Sequence, residues 1–147
     1  MKKTLTNILI GTSLAGNLSF NSCNYEKPKT EPTQEKSPED TLLKVAADFY
    51  YKGDYTSAKK ITSDFLEIKK NKNDSLGIAK GFNNLGLIFD SQENYTEAIK
   101  YSLNALNIYE NLKDNSRIAQ TSNNLGKIFS SQEKYEKALE YYNKSFN

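Results

Sequence analysis

Two pairs of adjacent amides, Asn83-Asn84 and Asn123-Asn124, stand forty residues apart, each directly ahead of a Leu-Gly step. An amide side chain carries both a donor and an acceptor. Such a residue can therefore hydrogen-bond to the backbone of an extended peptide whatever that peptide's side chains are. Little else in the chain is equipped for chemistry. There is no histidine, which removes the commonest general base and the commonest metal ligand. The single cysteine, Cys23, cannot form an intrachain disulfide or a thiolate metal cluster. The acids are scattered rather than gathered, and Glu93 and Glu133 recur because the turn around them recurs; solvation or helix-start electrostatics is their expected role. Catalysis needs an acid, a base or a nucleophile converging in a sheltered pocket. The expectation is a protein with no catalytic residues, no metal and no cofactor.

The bulk composition narrows the class further. At 147 residues, 37% hydrophobic and 26% charged, the chain suits one soluble domain with some tail. Its formal charge is +2, from 20 basic and 18 acidic residues, and Lys2 and Lys3 account for the excess. No run of Lys and Arg offers a footprint for phosphate backbones, so no nucleic-acid partner is expected.

The N-terminus reads as a signal segment over residues 1–22. Lys2 and Lys3 precede a moderately apolar run from Leu5 to Phe20, interrupted by Asn7, Gly11, Gly16 and Asn17, and Ser22-Cys23 follows. The run is too short and too polar for a membrane-spanning helix, which wants about 20 predominantly apolar residues. The position of Cys23 resembles that in a bacterial lipobox, which implies an acylated Cys23 as the first mature residue. Phe20-Asn21-Ser22 departs from the usual pattern ahead of such a cysteine. Residues 23–39 then hold Pro28, Pro32 and Pro38, all three prolines of the chain, among polar and charged residues. This composition predicts an extended tether with a reach of about 50 Å. Together these features predict a lipid-anchored protein of the cell envelope, on the periplasmic face or the outer membrane, with a cytoplasmic chain as the alternative.

From Thr41 onward no proline interrupts the sequence, as expected of a nearly all-helical remainder. Ile78–Asn107 laid over Ile118–Asn147 is identical at about half of its positions, well beyond chance, so the segment is a repeat. A fainter copy lies upstream, with Val45, Ala46, Phe49, Tyr55 and Ala58 in register. Ile78, Phe82, Leu85, Ile88 and Phe89 recur at steps of three and four, which predicts a helix from about Leu76 to Ser91. Gln92-Glu93-Asn94 forms a turn, and a second helix is predicted from about Tyr95 to Leu112. Its apolar surface of Ala98, Ile99, Tyr101, Leu103, Ala105, Leu106, Ile108 and Tyr109 is broad enough to be buried on two sides. Gly86 and Gly126 stand in mid-helix at a cost of about 1 kcal/mol each, so close approach of a facing helix is expected there, with Ala98 or Ala138 as the matching small surface. Tyr55, Tyr95 and Tyr135 are expected to cover the ends of the hairpin cores.

The run Asn84-Leu85-Gly86, Phe89, Tyr95, Ala98 and Ala105, repeated as Leu125, Gly126, Phe129, Tyr135 and Ala138, resembles the tetratricopeptide repeat. The forty-residue period exceeds the usual 34, and the long-helix form is similar to that of kinesin light chains and bacterial tetratricopeptide sensors. The resemblance implies an all-α fold, a right-handed α-solenoid of about three helix-turn-helix hairpins over residues 40–147, with repeats at about 40–75, 76–114 and 115–147. It also implies a concave groove lined by the first helix of each repeat, holding an extended peptide or a partner protein. Resemblance to members with an asparagine ladder places Asn84 and Asn124 in that groove, with Asn83, Leu87, Asp90, Asn123, Lys127 and Ser130 on or beside it. Leu43-Lys44 replaces the amide pair in the first copy, which limits the ladder to two rungs.

Solenoids of this type usually finish with a helix whose polar face covers the last hairpin. Here the third copy closes on Phe146-Asn147. The flank of Leu139, Tyr142 and Phe146 is therefore expected to be exposed, to form a homodimer or to be capped by a partner. Alternatively, the chain is a fragment of a longer sensor or a cytoplasmic peptide-responsive regulator.

Overall fold

The computed structural model describes residues 38–146. The expected signal segment, Cys23 and the tether up to residue 37 lie outside the described residues. Six helices make up the described part: α1 (Pro38–Tyr51), α2 (Tyr55–Asn71), α3 (Ser75–Ser91), α4 (Tyr95–Asn111), α5 (Asn115–Ser131) and α6 (Tyr135–Ser145). The all-α solenoid expectation holds, with each helix packed on the next in chain order. α1 starts at Pro38, inside the stretch read as tether. Proline suits the first helical position because the N–H it lacks would have no partner within the helix.

The forty-residue repeat conceals a physical period of twenty. α2, α3, α4 and α5 are each 17 residues long, and helices begin at Tyr55, Ser75, Tyr95, Asn115 and Tyr135. Every link has the same form. Its middle residue is left-handed, at Gly53, Asn73, Glu93, Lys113 and Glu133, with φ from 53° to 78°. The next residue's N–H reaches back to close the preceding helix, as in Asn94 N to Phe89 O at 2.9 Å and Asp114 N to Tyr109 O at 3.0 Å. This is the Schellman closure. The same residue then caps the following helix. Asp54, Asp74, Asn94 and Asp114 accept from the N–H of Ser57, Gly77, Glu97 and Arg117 at 3.0, 2.9, 3.4 and 3.1 Å, an N-cap geometry that contributes about 1 kcal/mol per helix. One residue at the junction thus serves two helices, its backbone N–H closing the first and its side chain capping the second. Lys134 is the exception, with no side-chain cap bond.

Spacing within the hairpins is set by small residues. A Cβ on Gly86 would stand 2.5 Å from Ser102 Oγ and 3.3 Å from the Ala98 carbonyl oxygen. On Gly126 it would lie 2.6 Å from the Tyr142 ring. Close approach is therefore confirmed, but the facing side chain is residue 102 or 142 rather than Ala98 or Ala138. In the first hairpin Ala46 and Thr62 take these places, both buried. Two further expectations are corrected. Leu103 is 38% exposed, so the buried surface of α4 is narrower than its apolar sequence. Tyr135 is 63% exposed and so covers no core, whereas Tyr55 and Tyr95 are half-buried.

Candidate functional site

The first helices α1, α3 and α5 carry most of the residues singled out by sequence. On α3, Asn83, Asn84, Leu87 and Asp90 are all half-buried, and on α5 so are Asn123, Asn124 and Ser130, while Lys127 is exposed. Steps of three and four residues place Asn84, Leu87 and Ser91 along one line of α3, because such positions stack on one helix face.

Asn84 and Leu87 line a cavity of about 110 Å³ together with Ile88, Ala46, Ala47, Tyr50 and Tyr51 of α1 and Thr62 of α2. The lining is mostly apolar, with Asn84 and Thr62 as its non-aromatic polar members. Tyr50 is fixed there, its hydroxyl 2.8 Å from Ser91 Oγ on α3. Tyr51 meets the Tyr50 ring edge-on at a centroid distance of 5.5 Å and is itself 84% exposed. Neither tyrosine stood out in the sequence. The first copy lacks the amide pair that drew attention to the other two, and its contribution is this aromatic corner.

Farther along the same helices, Asp90 and Lys127 act on one another. Burial pushes the Asp90 carboxyl up from its ordinary value, and the positive charge of Lys127 opposes that shift. A partly desolvated carboxylate within the field of an exposed ammonium can accept N–H groups or a cation from a bound segment.

The amide pair does not act as a unit. Asn83 Oδ1 accepts from Thr121 Oγ1 of α5 at 3.3 Å, so its side chain ties α3 to α5. Asn84 alone of the pair reaches the cavity. Asn123, Asn124 and Ser130 do not line it. They lie on α5 in register with Asn83, Asn84 and Asp90. The site residues therefore fall into two groups, one around the cavity between α1 and α3, the other around Asp90 and Lys127 between α3 and α5.

Among the described residues no group of His, Cys, Asp and Glu could hold a metal ion, and no helix is long and apolar enough to cross a membrane. The arrangement defines a class: a helical-hairpin solenoid, with a small cavity lined by α1, α2 and α3. Residues 77–147 match the tetratricopeptide repeat family. These residues are tetratricopeptide repeats by sequence, and the described chain is a tetratricopeptide-repeat solenoid by fold. Among solved structures it is similar to the TPR domain of Arabidopsis FLU, with a TM-score of 0.68 at 22% identity over 74% of this chain and 91% of that one. Comparison with curated proteins gives no match.

Proposed function

We propose that this chain is a non-enzymatic scaffold that binds an extended protein segment across α1, α3 and α5. Tetratricopeptide scaffolds are in general protein-interaction modules, and the finer assignment rests on one observation. Asn84 and Leu87 face the aromatic corner of Tyr50 and Tyr51 across a slot with room for one aliphatic side chain. An apolar side chain of the ligand would fill the slot while the Asn84 amide pairs with its peptide group. Asp90 and Lys127 would meet the next residues, with Asn83, Asn123, Asn124 and Ser130 alongside. The exposed flank of α6 is a second contact surface, for another copy or a capping partner.

A peptide library displayed against the folded domain tests this reading. Selected binders are expected to share one apolar anchor, to lose binding to Leu87→Glu by about tenfold or more, and to weaken with Asn84→Ala. Binders indifferent to Leu87→Glu and Lys127→Glu would place recognition on another surface.

We further propose that the scaffold is anchored in the bacterial envelope through an acylated Cys23, with residues 23–37 as the tether. Support comes from the basic-apolar-cysteine order of the leader and the proline-rich stretch behind it. Intact mass of the protein from its native membrane fraction is expected to show a species that begins at Cys23 and carries acyl mass, absent from Cys23→Ala. An unmodified full-length chain in the soluble fraction would instead favour a cytoplasmic signalling module.

A further inference from the structure

α2 and α4 each hide one stripe beneath the helix that follows. On α2 the stripe includes Lys59, whose ammonium lies 5.6 Å from the Phe89 ring centroid on α3. It also includes Leu66, 7% exposed, whose Cδ1 lies 3.1 Å from where a Cβ on Gly81 of α3 would stand. On α4 the same two positions are Ile99 and Leu106, packed in one core cluster with Leu125 and Phe129 of α5. In the third hairpin they are Leu139 on α6 and Phe146 at its C-cap, exposed by 60% and 87%.

α1 shows the complementary deficit. Val45 and Phe49 stand in register with Leu85 and Phe89 on α3 and with Leu125 and Phe129 on α5. Leu85 and Leu125 are 3% and 0% exposed because a second helix covers them, whereas Val45 is 37% exposed. Thr41, which holds the place of Gly81 and Thr121, is also exposed. α6 therefore presents one half of an interface and α1 the other half, and the chain already builds that interface twice, between α2 and α3 and between α4 and α5.

We infer that a second copy of this chain covers these surfaces, with α1 of one molecule stacked on α6 of the next. Phe146 meets Val45 as Leu106 meets Leu125, and Leu139 meets Phe49 as Ile99 meets Phe129. The contact is head-to-tail, so each copy keeps one outer end available after pairing and molecules can be added one at a time. Each addition sets the α1–α3–α5 face of one copy beside that of the next and lengthens the surface available to a bound segment. The stacking stands whether or not that surface binds peptide.

Sedimentation velocity of the full chain over a concentration series tests the inference, with two kinds of blocked end. Leu139→Glu/Phe146→Glu blocks α6, where both side chains are exposed and the fold does not depend on them. Val45→Glu blocks α1, and Thr41→Arg, at an exposed position, repeats the test should Val45→Glu unfold. The wild type is expected to grow past the dimer with concentration, and each variant alone to associate at least about tenfold more weakly. An equimolar mixture of the two variants is expected to form one-to-one dimers and nothing larger, because each supplies the end the other lacks. A wild type that stays monomeric overturns the inference. So does a dimer lost on blocking α6 alone, which is tail-to-tail pairing, or association indifferent to both ends.

Discussion

Lys69 and Tyr109 occupy the same register in successive second helices, yet one is a buried cation and the other a buried phenol. Lys69 is 8% exposed, its ammonium 3.0 Å from Asp74 and 5.3 Å from the Phe65 ring centroid. Its aliphatic stem fills the place where a side chain at residue 77 would stand, since a Cβ on Gly77 would meet Lys69 Cδ at 2.6 Å. In the next repeat Ala105 replaces Phe65, Tyr109 replaces Lys69, and Arg117 replaces Gly77. The cation now comes from the helix after the turn, with Arg117 Nη1 paired to Asp114. Asp74 and Asp114 are each paired with a cation, from α2 in one junction and from α5 in the other, and the three surrounding side chains trade volume between the two junctions. Burial pushes the Tyr109 phenol up to about 12, so it stays neutral in the core.

The trade in volume is testable as a set. Gly77→Arg alone has no room beside Lys69 and is expected to cost about 2 kcal/mol. Lys69→Tyr alone leaves Asp74 without its cation and crowds Phe65, for a similar loss. The triple change Phe65→Ala, Lys69→Tyr and Gly77→Arg rebuilds the other junction and is expected to recover at least half of the summed loss. Urea unfolding measures all of these. Strict additivity in the triple variant would mean that the three positions do not form a unit.

The repeated link makes a second prediction, because four of its five left-handed positions are not glycine. A left-handed conformation costs a residue with a Cβ about 1 kcal/mol. Glu93→Gly, Lys113→Gly and Glu133→Gly are each expected to raise stability by about 0.5 to 1 kcal/mol, and Gly53→Ala to lower it by about as much. A fall in the urea midpoint for the three glycine variants would show that their side chains contribute more than their backbone strain.

Ser122 carries a buried hydroxyl with no hydrogen-bond partner, at a position where the preceding repeat has Phe82. Leaving such a group unpaired costs about 1 to 3 kcal/mol. Ser122→Ala is therefore expected to stabilise the fold by about 1 kcal/mol, read as a higher unfolding midpoint at unchanged slope. A loss of stability would mean that the hydroxyl has a partner in solution, such as a water.

The forty-residue repeat and its two helices were legible because Asn-Leu-Gly, Phe89, Tyr95 and Ala98 recur almost unchanged. The twenty-residue period was not. First and second helices bury different stripes and share only backbone geometry, so Asp54, Asp74, Asn94 and Asp114 look like unrelated polar residues until the hydrogen bonds are seen. The cavity was half legible. Asn84 and Leu87 stood out through the repeat, whereas Tyr50 and Tyr51 belong to the degenerate first copy and reach the site only because α1 packs beside α3. Asn83 was indistinguishable from Asn84 by type, and one step along the helix turned it toward Thr121 instead.

The carboxylates predict how the fold responds to acid, with two opposite signs. Asp54, Asp74 and Asp114 are all held below the ordinary value of 3.8, chiefly by hydrogen bonds from Ser57, from the Gly77 N–H and from the Arg117 N–H respectively. The unfolded chain therefore takes up these protons first. The stabilisation is complete well above 3.8 and is lost as pH falls through the lower folded values. Asp90 is shifted the other way by burial. Its charge weakens the fold at neutral pH, and that cost is relieved as pH falls through its raised value, before the caps begin to lose theirs. Urea unfolding across pH is expected to show a shoulder or slight rise on moving into mild acid, followed by a steep acid limb. Asp90→Asn should stabilise the protein near neutral pH, show no advantage at about pH 3, and abolish the shoulder. Replacing Asp54, Asp74 and Asp114 by Asn keeps a capping oxygen but removes the titration, and should flatten the acid limb. An acid limb unchanged in that triple variant would assign the acid sensitivity of the fold to carboxylates other than the helix caps.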